Sequence, residues 1–148
     1  MLLDANVLIG AFRPEMPDHL ATKKWLDDTM ATGRAFGMVE GLLCGFVRIV
    51  TQKPFNPITP IDKALDFASR VRSVPSCRML GPSPQQWTIF DDLCRRTRSQ
   101  GRSVQDAYWA SFALELDCEF ITFDGGFARI PGLRWRSPLE GRARTNPR

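Results

Sequence analysis

The first nine residues constrain the fold of this 148-residue chain more than any other segment. Leu2 to Ile9 is apolar except at Asp4 and Asn6, which is typical of a buried parallel strand with polar residues at its C-terminal end. The interruption by Asp4 requires an explanation, because ligands bind beyond the carboxyl ends of the strands in open parallel sheets. The segment therefore predicts a parallel sheet with a ligand site near Asp4.

Short β-prone segments alternate with longer segments of helical periodicity along the rest of the chain. The predicted strands are Leu2–Ile9, Arg34–Met38, Arg78–Leu80, Phe120–Phe123 and Leu133–Trp135. The predicted helices are Pro17–Met30, Val39–Val50, Ile61–Val71, a segment from Pro84 through Leu93, and Val104–Leu116. Alternation of this kind predicts an α/β fold with a mainly parallel central sheet flanked by helices.

The scarcity of histidine limits the chemistry that is open to the chain. His19 is the single histidine, which excludes a zinc site built on two or three histidines and leaves a Ser-His-Asp triad dependent on one residue. The four cysteines are widely spaced without a CxxC pair, so we expect reduced, partly buried thiols. Catalysis, if present, is expected to use carboxylates.

The length of the chain suits one globular domain, predicted over residues 1–136, followed by a polar, basic tail over residues 137–148. Met1 leads directly into Leu2 without a basic leader, and no apolar run approaches the roughly 20 residues that span a bilayer. We therefore expect a soluble, cytoplasmic protein without a membrane partner.

The net charge of +4 is compatible with a polyanionic partner. The excess is modest, so an ordinary basic surface without a binding role stays an alternative. Much of the positive charge lies in or beyond the last apolar segment, in Arg134, Arg136, Arg142, Arg144 and Arg148.

Four acidic residues are predicted to converge at one edge of the sheet. Asp4 and Asp124 end predicted strands. Asp18 and Ser103 are good N-cap residues, and Glu40 and Asp106 are expected in the first turns of two helices that leave from the same edge. The four predicted catalytic residues are Asp4, Glu40, Asp106 and Asp124.

Four neighbouring carboxylates repel one another and require a compensating charge. At 4 Å each pair costs about 1 kcal/mol in water and roughly 4 kcal/mol at an effective dielectric constant of 20. Bound divalent cations remove this cost, and a set of oxygen ligands favours Mg²⁺ or Mn²⁺ over zinc. Such ions activate water and stabilise the charge on a phosphoryl group, so the site is suited to phosphodiester hydrolysis.

Each acid also has a purely structural interpretation. Asp4 could be hydrogen-bonded into the turn before the next helix, and Asp124 could start the Gly125-Gly126 turn. Asp106 and Glu40 could each interact with a helix dipole. Asn6 and Thr122 are placed to orient Asp4 and Asp124, although both residue types are common in such positions for local reasons.

Three segments that contain the aspartates resemble the acidic motifs of PIN domains. These segments are Met1–Ile9 (MLLDANVLI), Gln105–Ala110 (QDAYWA) and Ile121–Arg129 (ITFDGGFAR). Gly45–Thr51 (GFVRIVT) and Phe127–Trp135 (FARIPGLRW) are similar to segments of the VapC toxins within that family. The resemblance extends from Met1 to about Trp135, and departs where Gly125-Gly126 replaces a further acid of some relatives.

The resemblance implies a PIN-like three-layer sandwich and Mg²⁺-dependent cleavage of RNA, with Mn²⁺ as a possible substitute. It implies that Asp4, Asp106 and Asp124 coordinate the metal and that Glu40 occupies the place of the second acid of the family. It also implies a homodimer and inhibition by a cognate VapB-type antitoxin.

Three alternative functions are compatible with parts of the pattern. A non-catalytic RNA-binding or partner-binding PIN module is the main one, but four repelling carboxylates give such a module no benefit against a polyanion. A phosphatase of the haloacid dehalogenase kind normally has a second acid at the position of Asn6. A phospho-receiver domain would have paired acids near the first strand and a lysine at a later strand end.

Overall fold

A computed structural model describes residues 1–141 and 143–147 of the chain. In chain order the elements are β1 (Leu2–Leu3), α1 (Ala5–Phe12), α2 (His19–Ala31), β2 (Phe36–Val39), α3 (Glu40–Val50), α4 (Ile61–Arg72), β3 (Cys77–Leu80), α5 (Pro84–Thr97), α6 (Arg102–Glu115), β4 (Phe120–Ile121), a 3₁₀ helix (Gly125–Arg129), β5 (Arg134–Arg136) and β6 (Arg144–Thr145). Arg142 and Arg148, two of the tail arginines named above, lie outside the described residues.

The strands form a six-stranded sheet in the order β3-β2-β1-β4-β5-β6. β2 pairs with β3 in parallel, and β4 pairs with β5 in parallel. The C-terminal strand β6 pairs with β5 in the antiparallel direction. The predicted α/β class, with a mainly parallel central sheet flanked by helices, is confirmed.

The chain divides into two compact units, of which the first comprises residues 3–80. In this unit α1 packs against α2 and α3, and α3 packs against α4. Phe12, Phe46 and Phe67 form an aromatic cluster with ring centroids 4.9 to 5.4 Å apart. Phe46 and Phe67 are buried together with Leu42 of α3 and form part of the core of the unit.

The second unit comprises residues 1–2 and 81–148. Its helices α5 and α6 pack against each other, with Phe90 edge-on to Tyr108 and Tyr108 edge-on to Phe112. The backbone N–H of Leu2 donates to the carbonyl of Glu119 at 2.7 Å, which ties the start of the chain to this unit. Asp106 and Asp124 belong to this unit, as do Arg102 and Arg129, with which they form ion pairs.

The prediction of one strand over Leu2–Ile9 is wrong. The strand ends at Leu3, and the apolar residues from Ala5 onward form α1. A short continuous apolar run has the same composition in a buried strand and in a buried helix, so its periodicity does not distinguish them. Asp4 is therefore at the junction of β1 and α1, and Asn6 is in the first turn of that helix.

One predicted helix start is confirmed and one differs. Asp18 is the N-cap residue of α2, as predicted, although its φ of 56° is left-handed where an N-cap residue is normally extended. Ser103 lies inside α6, which begins at Arg102, and its hydroxyl bonds with the N–H and carbonyl of Gln100. Because α6 begins earlier than predicted, Asp106 is in the second turn of the helix rather than in the first.

The predicted edge strand Leu133–Trp135 corresponds to β5, but β5 is not the edge of the sheet. Within the tail, Arg144–Thr145 forms β6 and pairs antiparallel with β5. The arginines of this region are also used locally, since Arg134, Arg136 and Arg144 form ion pairs with Asp117, Glu119 and Glu140. Their charge is thus balanced by neighbouring carboxylates instead of forming a uniformly basic surface.

Residues 1–141 and 143–147 include no helix that is both long enough and apolar enough to cross a membrane.

Candidate active site

Asp106 lies on α6 in a largely buried position, with 12% of its side chain exposed. Its carboxylate oxygen Oδ2 accepts a hydrogen bond from Nη2 of Arg129 at 2.7 Å. Arg129 ends the 3₁₀ helix, and 55% of its side chain is exposed. Because the helix dipole acts mainly within the first turn, the second-turn position of Asp106 argues against a role limited to that dipole. The partner of this carboxylate is a cation.

Asp124 precedes the 3₁₀ helix and is held in a tight turn. Its Oδ1 accepts the backbone N–H of Gly126 at 2.7 Å, while its own N–H donates to Oγ1 of Thr122 at 3.0 Å. The predicted turn at Gly125-Gly126 is therefore present, and Asp124 takes part in it. Its second oxygen, Oδ2, forms an ion pair with Arg102, whose Nη2 lies 3.7 Å away.

Gly126 and Arg129 connect the two aspartates. A Cβ atom built on Gly126 would lie 2.9 Å from Oδ1 of Asp124 and 3.6 Å from Nη2 of Arg129, the nitrogen that binds Asp106. The backbone of Gly126 is thus close to both groups, and no side chain fits there without moving the Asp124 carboxylate. Asp106 and Asp124 therefore form one cluster with Arg129 and Gly126, in which Arg129 binds Asp106 and Gly126 binds Asp124.

Asp4 is buried at the junction of β1 and α1, in the unit of residues 3–80. Its carbonyl accepts the N–H of Val7 at 3.2 Å, which closes the first turn of the helix. Asn6 follows two residues later with intermediate exposure. Asp4 is thus a buried carboxylate between two apolar segments. Burial of a carboxylate costs free energy unless the group is paired.

Glu40 is the first residue of α3, as the sequence predicts, but it is far more exposed than Asp4. Its side chain is 72% exposed, and Oε1 lies 3.0 Å from Nη2 of Arg72 on α4. Both residues line a groove of ≈ 310 Å³ whose remaining wall is mainly apolar and includes Leu43, Val47 and Leu65. The environment of Glu40 is therefore a solvent-exposed ion pair within the unit of residues 3–80.

The chemistry of Asp106 and Asp124 fits a divalent cation. Both present carboxylate oxygens, which Mg²⁺ and Mn²⁺ prefer, and each already has a guanidinium group within 4 Å. The arginines stand in for the positive charge that a metal ion would supply. In the described residues, no group of three or more His, Cys, Asp or Glu side chains is assembled in a way that could hold a metal. The predicted ligand set of Asp4, Asp106 and Asp124 stays a prediction.

Arg102, Gly126 and Arg129 are not among the site residues that the sequence predicts. Arg129 lies within the segment Ile121–Arg129 that carries the family resemblance, but nothing local distinguishes it from other exposed arginines. Arg102 and Arg129 become recognisable only once the fold places them beside acids. Gly126 had a signal in the Gly125-Gly126 pair, which predicts a turn without revealing what the turn holds.

A family model described as the PIN domain matches residues 1–133. Among curated relatives, a VapC ribonuclease of Mycobacterium bovis is 31% identical over 143 residues, covering 95% of this chain and 97% of the relative. Ribonuclease VapC31 of Mycobacterium tuberculosis is 30% identical over 140 residues, covering 93% of this chain and 99% of the relative. These matches extend over nearly the whole chain, so they apply to both units.

Solved structures share the fold at lower identity. The complex VapBC2 of Rickettsia felis bound to a promoter DNA fragment contains a chain that matches with a TM-score of 0.67 and 16% identity, covering 92% of this chain and 96% of that one. FitAcB of Neisseria gonorrhoeae contains another, with a TM-score of 0.65 and 17% identity, covering 94% and 98%. The chain described here belongs to the PIN domain family, and within it to the VapC group.

Proposed function

We propose that this chain is a divalent-metal-dependent endoribonuclease and the toxin of a VapBC-type toxin–antitoxin pair. The observation that carries the proposal is the cluster in which Arg129 binds Asp106 and the adjacent Gly126 binds Asp124. The cluster lies in a chain whose curated relatives are named VapC ribonucleases. Carboxylates that form ion pairs with arginine are also suited to hold Mg²⁺ or Mn²⁺ near a phosphodiester.

In this proposal Asp4, Asp106 and Asp124 hold the metal, and Glu40 binds metal or positions water. When bound, such an ion lowers the pKa of a water ligand and stabilises the negative charge that develops on the phosphoryl oxygens. Asp124 is pre-oriented for its role, since Gly126 fixes one carboxylate oxygen and Thr122 fixes its backbone. Pre-orientation of this kind lowers the entropic cost of assembling the site.

Arg102 and Arg129 have a second use when RNA is present. Both are exposed, with 84% and 55% of their side chains accessible, so their guanidinium groups are available to phosphate oxygens. A planar guanidinium binds phosphate with two parallel hydrogen bonds. They would attract the backbone of RNA toward the aspartates, whose own charge repels it.

The proposed partners are RNA, a second copy of the chain, and a VapB-type antitoxin, all within the cytoplasm. The structural neighbours include toxin–antitoxin complexes, which supports an antitoxin partner. Asp106 already binds the guanidinium of Arg129, so an inhibitory partner is expected to offer an arginine to the same carboxylate. Such a partner would compete with metal for Asp106.

The test is cleavage of a pool of structured RNA by the purified protein, freed of any antitoxin, with Mg²⁺, with Mn²⁺ and with EDTA. We expect fragments with either metal and none with EDTA. Full cleavage in EDTA would contradict the metal dependence. RNA that is bound but never cut with metal present would favour a non-catalytic RNA-binding PIN module, and a gel-shift measurement on the same samples detects that outcome.

A further inference from the structure

The side chain of Asn146, in the C-terminal tail, is buried and uses all of its hydrogen-bonding groups. Its Nδ2 donates to the carbonyl of Phe127 at 2.8 Å and to the carbonyl of Ile130 at 2.7 Å, and its Oδ1 accepts from Nε1 of Trp135 at 3.1 Å. Two donors and one acceptor in this arrangement match an amide and no other side chain of the same size. The residue is therefore matched to its surroundings.

The two carbonyls that Asn146 binds belong to the segment that carries Arg129. Phe127 lies within the 3₁₀ helix and Ile130 directly follows it, so the amide of Asn146 is hydrogen-bonded to the segment on both sides of Arg129. The same segment begins at Asp124, whose carboxylate is bonded to the N–H of Gly126. One side chain thus anchors the short segment that provides two members of the candidate site.

The backbone around Asn146 is fixed independently of its side chain. Its N–H donates to the carbonyl of Leu133 at 3.0 Å, and the carbonyl of Pro147 accepts the N–H of Gly132 at 3.0 Å. Just before it, β6 pairs with β5 in the register Arg134 with Thr145. The pairing of β6 with β5 therefore places the side-chain amide of Asn146 next to the 3₁₀ helix.

An anchor has a physical purpose here because the segment starts with two glycines. Glycine loses more conformational freedom on ordering than other residues, so Gly125 and Gly126 favour movement of whatever follows them. Asn146 lies beyond residue 133, where the match to the PIN domain model ends. The anchor is thus an addition to the part of the chain that the family model describes.

We propose that Asn146 is a positioning residue that holds Asp124 and Arg129 beside Asp106, so that the C-terminal strand supports the candidate site. The proposal rests on the proposed function for its catalytic consequence, but the positioning itself is independent of it. Replacing the amide nitrogen with an oxygen, as in Asn146→Asp, places an acceptor against two carbonyls. Asn146→Ala removes the anchor without that repulsion.

The first measurement is amide hydrogen exchange on the full chain, without metal or RNA. The N–H groups of Gly126, Phe127 and Ile130 are all hydrogen-bonded within the segment, so they report its order. In Asn146→Asp and Asn146→Ala we expect these amides to exchange about tenfold faster or more, while amides of α6 keep their rates. Thr145→Ala, an exposed neighbour on the same strand, is the matched control and should match wild type.

The second measurement is RNA cleavage by the same variants at a temperature where each is folded. We expect kcat to fall about tenfold or more with KM within about twofold, since misplacement of about 1 Å can reduce a rate by up to about 100-fold. Wild-type exchange in both Asn146 variants, or faster exchange throughout α6 to the same degree, would overturn the positioning role. If wild type cleaves no RNA, the proposed function fails while the exchange data still decide the role of Asn146.

Discussion

Arg129 binds Asp106 through a hydrogen bond of 2.7 Å between Nη2 and Oδ2, joining the end of the 3₁₀ helix to the second turn of α6. The carboxylate is largely buried and the guanidinium is half exposed, so the arginine is the more readily displaced member of the pair. Side-chain ordering and solvent screening keep such a pair weak, at about 1 kcal/mol or less. A metal ion or a phosphate would therefore displace Arg129 at a small cost.

The first prediction concerns competition between Arg129 and metal. Arg129→Met removes the positive charge beside Asp106, so Mn²⁺ should bind up to about fivefold more tightly in the absence of RNA, as expected from a charge interaction of about 1 kcal/mol. Calorimetric titration or the paramagnetic resonance of free Mn²⁺ measures this affinity. Arg96→Met is the control, since Arg96 forms an exposed pair with Asp92 on α5. Unchanged affinity in Arg129→Met would mean that Arg129 does not occupy the place of the metal.

The second prediction concerns the carboxylates themselves. Asp4→Asn, Asp106→Asn and Asp124→Asn should each reduce RNA cleavage by about 100-fold or more, the scale seen when one group that stabilises transition-state charge is lost. Asp91→Asn is the control, because that acid is exposed and pairs with Arg95 four residues later. Initial rates on one labelled RNA, at saturating Mg²⁺, compare the four variants. Equal losses in all of them would show that the cluster has no special role.

The third prediction separates two interpretations of Glu40. Its exposed pair with Arg72 should stabilise the fold by about 0 to 1 kcal/mol, so Glu40→Gln and Arg72→Gln should melt at nearly the wild-type temperature. If Glu40 acts in the site, Glu40→Gln alone loses cleavage. If Glu40 serves only the ion pair, the two variants retain equal activity, which removes Glu40 from the proposed site. Melting curves and cleavage rates on the same samples decide.

The fourth prediction concerns the close approach at Gly126. In Gly126→Ala the new methyl group would lie 2.9 Å from Oδ1 of Asp124, so the carboxylate must move away from the N–H that orients it. We expect cleavage to fall about tenfold or more, since small displacements of reacting groups are costly to rate. Gly125→Ala is a matched control, because a Cβ atom at Gly125 meets open space. Comparable activity of both variants would contradict the required geometry.

The fifth prediction concerns pH and the cysteines. Burial raises the pKa of the Cys118 thiol and outweighs the opposing effects of the Met1 amino group and of Arg134. Its thiolate therefore forms at higher pH than that of an ordinary cysteine, and alkylation of Cys118 should require more alkaline solution. Cys44 is exposed and should react first at neutral pH. Mass spectrometry after timed alkylation across a pH series measures both sites, and equal rates at every pH would contradict the difference.

The same pKa shift has a consequence for stability. A thiol that holds its proton longer in the folded chain than in the unfolded one weakens the fold as the pH rises. The stabilising effect is complete below the ordinary thiol pKa and is lost as the pH passes through the raised value. Cys118→Ser should therefore reduce the loss of melting temperature between neutral and alkaline pH.

Much of the fold is readable from local sequence. The boundaries of α3, α4 and β3 lie within one residue of the predicted ones, because their apolar spacing and the flanking prolines and glycines are local signals. The prediction of one strand over Leu2–Ile9 is wrong because an apolar run of that length suits both a strand and a helix. The prediction of Ser103 as an N-cap is wrong because its hydroxyl bonds to the carbonyl of Gln100 instead of capping the helix. A serine hydroxyl has several possible backbone partners nearby, and the sequence does not show which one it binds.

The sequence by itself determined the α/β class and the family, together with the positions of the acids at strand ends and near helix starts. Those features follow from periodicity and from short motifs, in which each residue acts through its immediate neighbours. Only the tertiary structure decided that Arg129 binds Asp106 and that Asn146 binds the carbonyls of Phe127 and Ile130, on either side of Arg129. These contacts join residues 23, 16 and 19 positions apart, and side chains that distant meet only after the strands and helices have packed.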